Sequence, residues 1–164
     1  MRTRGRISVD VPENWLFKEQ LTVYGAADES GHHPANLIAS SEPVPAGIET
    51  EEYAKSTEEM LRKEFPAYQE TQLEPIDVFG DRSGWLRRFE WEPELDQHVV
   101  QLQVYYVEDG RGYTVTATAA TEDFQIVQTQ LIELLGSLRL EPGGSVAPPA
   151  AAAAVSAAVG EKSA

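Results

Sequence analysis

The chain has 164 residues, no cysteine and a formal net charge of −14. That length suits one domain with a tail and a core large enough to need neither disulfide nor metal. The missing cysteine excludes thiol catalysis, a disulfide framework and a zinc–thiolate site, and the negative charge argues against nucleic acid or anionic lipid as a partner.

The opening "MRTRGRISVDVPENW" carries no apolar signal core, and no run is long enough to span a membrane, which points to a cytosolic protein. "RISVDVP" alternates as a strand, with Ile7, Val9 and Val11 on one face and Pro12 ending it. "EQLTVYGA" is a second strand with Leu21 and Val23 on one face; the loop "DESGHHP" follows, and "ANLIASSE" is a third strand. After the "PVPAG" loop, "TEEYAKSTEEMLRKEF" reads as one helix. Thr50 is its N-cap, acids fill the first turn, and Tyr53, Thr57, Met60, Leu61 and Phe65 fall on one face before Pro66 stops it.

"QLEPIDVFGDRSGWLRRFEWEP" reads as a hairpin turning between Gly80 and Gly84. "DQHVVQLQVYYVEDGRGYTVTATAA" is a second hairpin, with Asp109-Gly110 at its turn. "TEDFQIVQTQLIELLGSLRL" is a closing helix whose stripe is Phe124, Val127, Leu131, Leu134, Leu135 and Leu138. Strand runs with segregated helices predict an α+β domain: an antiparallel sheet with helices on one face. The domain spans 1–141, and residues 142–164 form a Pro/Ala-rich tail. Its composition predicts disorder; the alternative is that "AAAAAVSAAV" becomes a small-residue apolar helix when it has somewhere to dock.

No catalytic set emerges. His32 and His33 lie in a loop and His98 starts a strand, without metal-ligand spacing. Glu49, Glu51, Glu52, Glu58 and Glu59 belong to a solvated helix face. Phosphate-loop, nucleophile-elbow and zinc-protease motifs are absent, and "GDRSG" is only a turn. The expectation is a non-enzymatic protein without metal or cofactor. Trp85, Phe89 and Trp91 read as a core-facing row, since a base-stacking platform needs basic surroundings.

The strand "HVVQLQVYYVED" places Val100, Leu102, Val104 and Tyr106 on one face and Gln101, Gln103 and Tyr105 on the other. With the helices on the Leu102 face, the other face stays open, and the neighbouring strands add Leu21, Val23 and Ile38 to it. One reading is a wet strand face. The other is a curved trough, apolar with a few neutral amides that donate and accept hydrogen bonds.

"ISVDVPENW", "EQLTVYG", "ANLIASSE", the helix ending in "EFPAY" and "VVQLQVYYVEDGRGYTVTATA" together resemble the DcrB-like domain of the Mog1/PsbP-like α/β sandwich, over roughly Arg4 to Leu140. Within that group, the "LQVYYVE" strand and the missing export signal resemble the Eag-type effector chaperones of type VI secretion. The resemblance implies a cytoplasmic homodimer that holds the apolar N-terminal transmembrane helices of a secreted effector before export. It places the groove on Leu21, Val23, Ile38 and the hydrogen-bonding Gln103, with Thr57 where the family carries a second glutamine. The alternative is an envelope or general ligand- or protein-binding module of the DcrB/PsbP kind with no secretion role.

Overall fold

Two tight turns set the register of the sheet. β5 (Val99–Glu108) and β6 (Arg111–Ala120) are joined by Asp109-Gly110, at φ 51 and 72. Both central residues of this hairpin turn must take the left-handed conformation, which Gly adopts freely and Asp tolerates. β3 (Gln69–Val78) and β4 (Arg82–Trp91) turn through Phe79 and Gly80, also at positive φ. With β1 (Glu19–Tyr24) and β2 (Ala35–Pro43) they form one sheet, entirely antiparallel, in the order β1-β2-β6-β5-β4-β3. α1 (Thr50–Ser56) and α2 (Glu58–Glu64) follow β2, and α3 (Thr121–Ser137) follows β6. The computed structural model describes residues 19–27, 29, 34–80, 82–94 and 97–140. The predicted strand around Ile7 to Val11, the His32-His33 loop and the tail lie outside the described residues.

The α+β class and the curved antiparallel sheet are as the sequence predicts, but the helices do not share one face. α3 lays Phe124, Val127 and Leu131 on Ala35, Val100, Leu102, Ala117 and Ala119. α1 packs on the opposite face, where Tyr53 and Ala54 bury against Tyr105, with Leu73 and Trp85 alongside. The reason lies in β5, which is apolar on one face and bears the large Tyr105 ring on the other. Both faces bury area, at about 25 cal/mol per Å² of apolar surface removed from water. The structure is therefore a sandwich with the sheet in the middle.

The helix predicted over 50–65 is two short ones meeting at Thr57. Ser56 Oγ donates to the Tyr53 carbonyl at 2.9 Å and Thr57 Oγ1 to the Ala54 carbonyl at 2.8 Å. Such back-bonding competes with the helical ladder and bends helices. Thr50 is not the N-cap: Glu49 takes that position with extended backbone, and the Thr50 hydroxyl instead accepts from the Val107 N–H at 3.1 Å, tying α1 to β5. Met60 and Leu134, placed in the apolar stripes by periodicity, are exposed. The acids of α1 and α2 face water as expected, in pairs Glu51–Lys55, Glu58–Arg62 and Glu59–Lys63 four residues apart.

Candidate functional site

Strand registers fix which side chains share each face. On the α1 side, one row across β1, β2, β6, β5 and β4 is Gln20, Ser40, Thr114, Tyr105 and Trp85. The next is Thr22, Ile38, Thr116, Gln103 and Arg87, and the third is Tyr24, Asn36, Thr118, Gln101 and Phe89. Arg87 is the only charge among these fifteen positions, in a chain of net charge −14. The opposite face of the same strands is aliphatic: Leu21, Ala39, Val115, Val104 and Leu86 form one of its rows.

Gln101, Gln103, Tyr105 and Ile38 thus share a face, as the alternation predicts, and Thr57 reaches it from the end of α1. Leu21 and Val23 do not. They point to the α3 side, opposite Ala39 and Leu37, because a strand's side-chain period is two and their register pairs Thr22 with Ile38. The trough is also less open than the sequence implies: Gln101 and Gln103 are each 7 % exposed and Tyr105 is 1 % exposed. α1 covers the β4–β5 half of this face. Toward β1 and β2 the half-buried Thr22, Ile38, Ser40, Thr116 and Thr118 continue it.

A hydrogen-bond network occupies the covered half. The Tyr105 hydroxyl donates to Gln103 Oε1, and Gln103 Nε2 donates to Thr116 Oγ1 at 3.3 Å. The Thr57 hydroxyl is shared between the Ala54 carbonyl and the Tyr105 hydroxyl, the latter at 3.2 Å. Burial pushes the Tyr105 phenol up to about 12, against a lowering by the Thr57 hydrogen bond, so it stays neutral and a donor. The Tyr53 hydroxyl lies 3.1 Å from Thr114 Oγ1 and donates to Glu42 at 3.3 Å. Arg87, fully buried, donates to the Ala54 carbonyl at 2.7 Å and to the Tyr68 hydroxyl at 3.1 Å, with Glu70 at 3.4 Å as counter-ion. Gln101 is different: its Oε1 is buried and has no hydrogen-bond partner, as is Asn36 Oδ1 across the sheet.

Sequence reasoning missed Asn36, Ser40, Arg87 and the Thr114-Thr116-Thr118 column. The signal was present in "TVTATAA", where Thr alternates with Val or Ala at the strand period. A groove of about 360 Å³ lies on the other face, between α3 and β3–β4, lined chiefly by Ile76, Val78, Leu86, Val104, Ile132 and Leu135. Among the described residues no three His, Asp or Glu side chains gather as metal ligands. His98 lies exposed, 3.4 Å from Glu92. No helix among them is long and apolar enough to cross a membrane.

The DcrB family model matches residues 8–137. Among solved structures, the Pseudomonas aeruginosa protein PA94, of unknown function, superposes with a TM-score of 0.68 at 15% identity, covering 80% of this chain and 90% of its own. LpqN, involved in cell envelope biogenesis of Mycobacterium tuberculosis, gives 0.49 at 12% identity, covering 80% and 87%. No functionally curated protein matches the chain. At these identities the structural likeness speaks to the fold, which is consistent with the Mog1/PsbP-like sandwich.

Proposed function

The chain belongs to the DcrB family, and from that premise we propose that it is a non-catalytic chaperone or adaptor that shelters the apolar N-terminal helices of a secreted effector in the cytoplasm before export. One observation carries the reading. Across its three central rows the α1-side face combines hydroxyls, amides and Ile38 with one charge, Arg87, which is buried and paired with Glu70; Glu42 sits at the margin, held by the Tyr53 hydroxyl. A client helix of membrane-seeking composition is excluded by charge and by a fully solvated surface. It is accommodated by neutral groups that can bond its occasional polar atoms and by apolar area that removes its side chains from water. The net charge of −14 keeps such a complex dispersed. The sequence resemblance to Eag-type chaperones supports the same assignment and, with it, a homodimer.

Co-expression tests this reading. A secreted effector's apolar N-terminal segment, insoluble alone, should become soluble and co-purify with this protein. A segment that stays insoluble in its presence overturns the proposal.

A second reading is favoured by the groove beside α3. A general binding module with no secretion role would use that apolar cleft, whose size falls within the range of small-molecule sites. Ile132→Glu would then abolish ligand binding and leave client solubilisation unchanged.

A further inference from the structure

The groove beside α3 is graded along its length. Gln72, Arg88 and Gln128 line one end, and Phe79, Ile132 and Leu135 line the other. The register explains the order. Arg88 of β4 pairs with Gln72 of β3 on one side and Leu102 of β5 on the other, whereas Phe79 follows Val78 at the hairpin turn. α3 runs from Phe124, beside Arg88, to Leu135, which packs on the cluster that holds Val78. Phe124 to Leu135 covers about 16 Å of helix at roughly 1.5 Å per residue.

Arg88 is the group whose chemistry the fold leaves unspent. Its guanidinium lies over the Phe124 ring, 5.0 Å from the centroid, which holds it in place. Among the described residues its side chain makes no hydrogen bond, and its Nε is buried without a partner. Glu90 Oε1 stands 3.7 Å from Nη2, too far for a hydrogen bond, and both side chains are a third or more exposed, so water weakens the pair. Gln72, by contrast, is spent on Glu74, to which it donates at 2.7 Å. Asp77, the one carboxylate along the groove among the described residues, pairs with Ser83 and by strand alternation points to the α1 side.

We propose that this cleft binds a free fatty acid of medium chain length, its carboxylate on the terminal nitrogens of Arg88 and its tail along Phe79, Ile132 and Leu135. This rests on the reading of the cleft as a ligand site and names the ligand; it is independent of the client face across the sheet. Charge decides the head. One cationic donor beside an apolar run fits a single anion, and a carboxylate accepts from two guanidinium N–H groups at once. Length decides the tail: an extended chain of on the order of twelve carbons spans such a groove. The net charge of −14 decides the source, because it repels an anionic bilayer and leaves the dissolved acid as the ligand.

Titration calorimetry of the full chain with sodium decanoate, kept below its micelle concentration, should show one saturable site. Affinity should rise on the order of ten-fold from octanoate to decanoate, as two more methylenes are buried. 1-Decanol, the same tail with an uncharged head, should bind on the order of ten-fold more weakly than decanoate. Arg88→Gln should erase that preference. Glu90→Gln, which removes the competing carboxylate at an exposed position, should tighten decanoate and leave decanol unchanged; it decides the matter if Arg88→Gln fails to fold. Anionic phosphatidylglycerol vesicles should not sediment the protein, and co-sedimentation would overturn the dissolved acid as the source. If wild type binds acid and alcohol equally, or if Arg88→Gln keeps the preference, the carboxylate assignment is wrong and the cleft reading stands. The same holds if neither binds but the neutral dye N-phenyl-1-naphthylamine does and Ile132→Glu removes it. If none of the three binds, the cleft reading falls as well.

Discussion

Tyr53 of α1 and Tyr105 of β5 meet edge to face, ring centroids 5.9 Å apart and planes at 86°. This contact docks the first helix onto the sheet. Around it the two hydroxyls diverge, one to Thr114 and Glu42, the other to Gln103 and Thr57. An aromatic pair of this geometry adds about 0.5–1.5 kcal/mol beyond its buried area. The position of α1 is thereby locked to the polarity of the face beside it.

Removing one hydroxyl tests that lock. Tyr105→Phe keeps the ring and leaves Gln103 Oε1 without its donor. The expected loss is about 1–2 kcal/mol, read as a lower urea midpoint with an unchanged slope. An unchanged midpoint would show that Gln103 finds water instead.

Alkali should destabilise the protein from the ordinary phenol value upward. The Tyr105 phenol titrates near 12 when folded, against 10.0 when exposed. Below pH 10 both states hold the proton and the network is fully present. Between 10 and 12 the unfolded chain loses its proton first, so stability falls as pH rises, by up to about 1.4 kcal/mol per unit. Burial raises the Tyr53 and Tyr68 phenols in the same direction. Urea midpoints at pH 9 and 11 should therefore converge in Tyr105→Phe relative to wild type.

Gly112 is a contact point rather than a hinge. A Cβ there would lie 2.6 Å from Tyr53 Cζ and 2.8 Å from Val44 Cγ1. Gly112→Ala must push α1 away, at a cost of about 1–3 kcal/mol. Near-ultraviolet circular dichroism, which reports the packed tyrosines, should weaken along with the melting temperature.

Arg87 holds α1 through a main-chain oxygen rather than through its charge. Arg87→Met fills much of the same volume but removes the donor to the Ala54 carbonyl. About 1–3 kcal/mol should be lost. Adding Glu70→Gln should recover only the part due to the stranded carboxylate. Full recovery in the double variant would mean that the ion pair, not the carbonyl bond, is what Arg87 supplies.

Local patterns made most of the sheet legible. Alternation in "QLQVYYVE" fixed which residues share each face of β5, and Asp109-Gly110 fixed the last hairpin. The neighbours of that face were not legible, because which of two alternating sets faces a given side depends on inter-strand register. Leu21 and Val23 alternate perfectly, yet pair with Ala39 and Leu37 on the α3 side. The split at Thr57 was hidden for a related reason. Ser56 and Thr57 read as neutral helix residues until their hydroxyls turn onto the carbonyls three residues back. Arg87 carries no local signal, and only the fold brings it the Ala54 carbonyl, Tyr68 and Glu70.

β5 has a strand on either side and side chains packed on both its surfaces, from Val100 to Tyr105 without an exposed position. Its amide protons are thus released only when the whole molecule opens, whereas those of β1, the outermost strand among the described residues, can leave through local fraying. Deuterium uptake along the chain should grade from fast at Thr22 to slowest around Gln103, a gradient running straight across the proposed binding face.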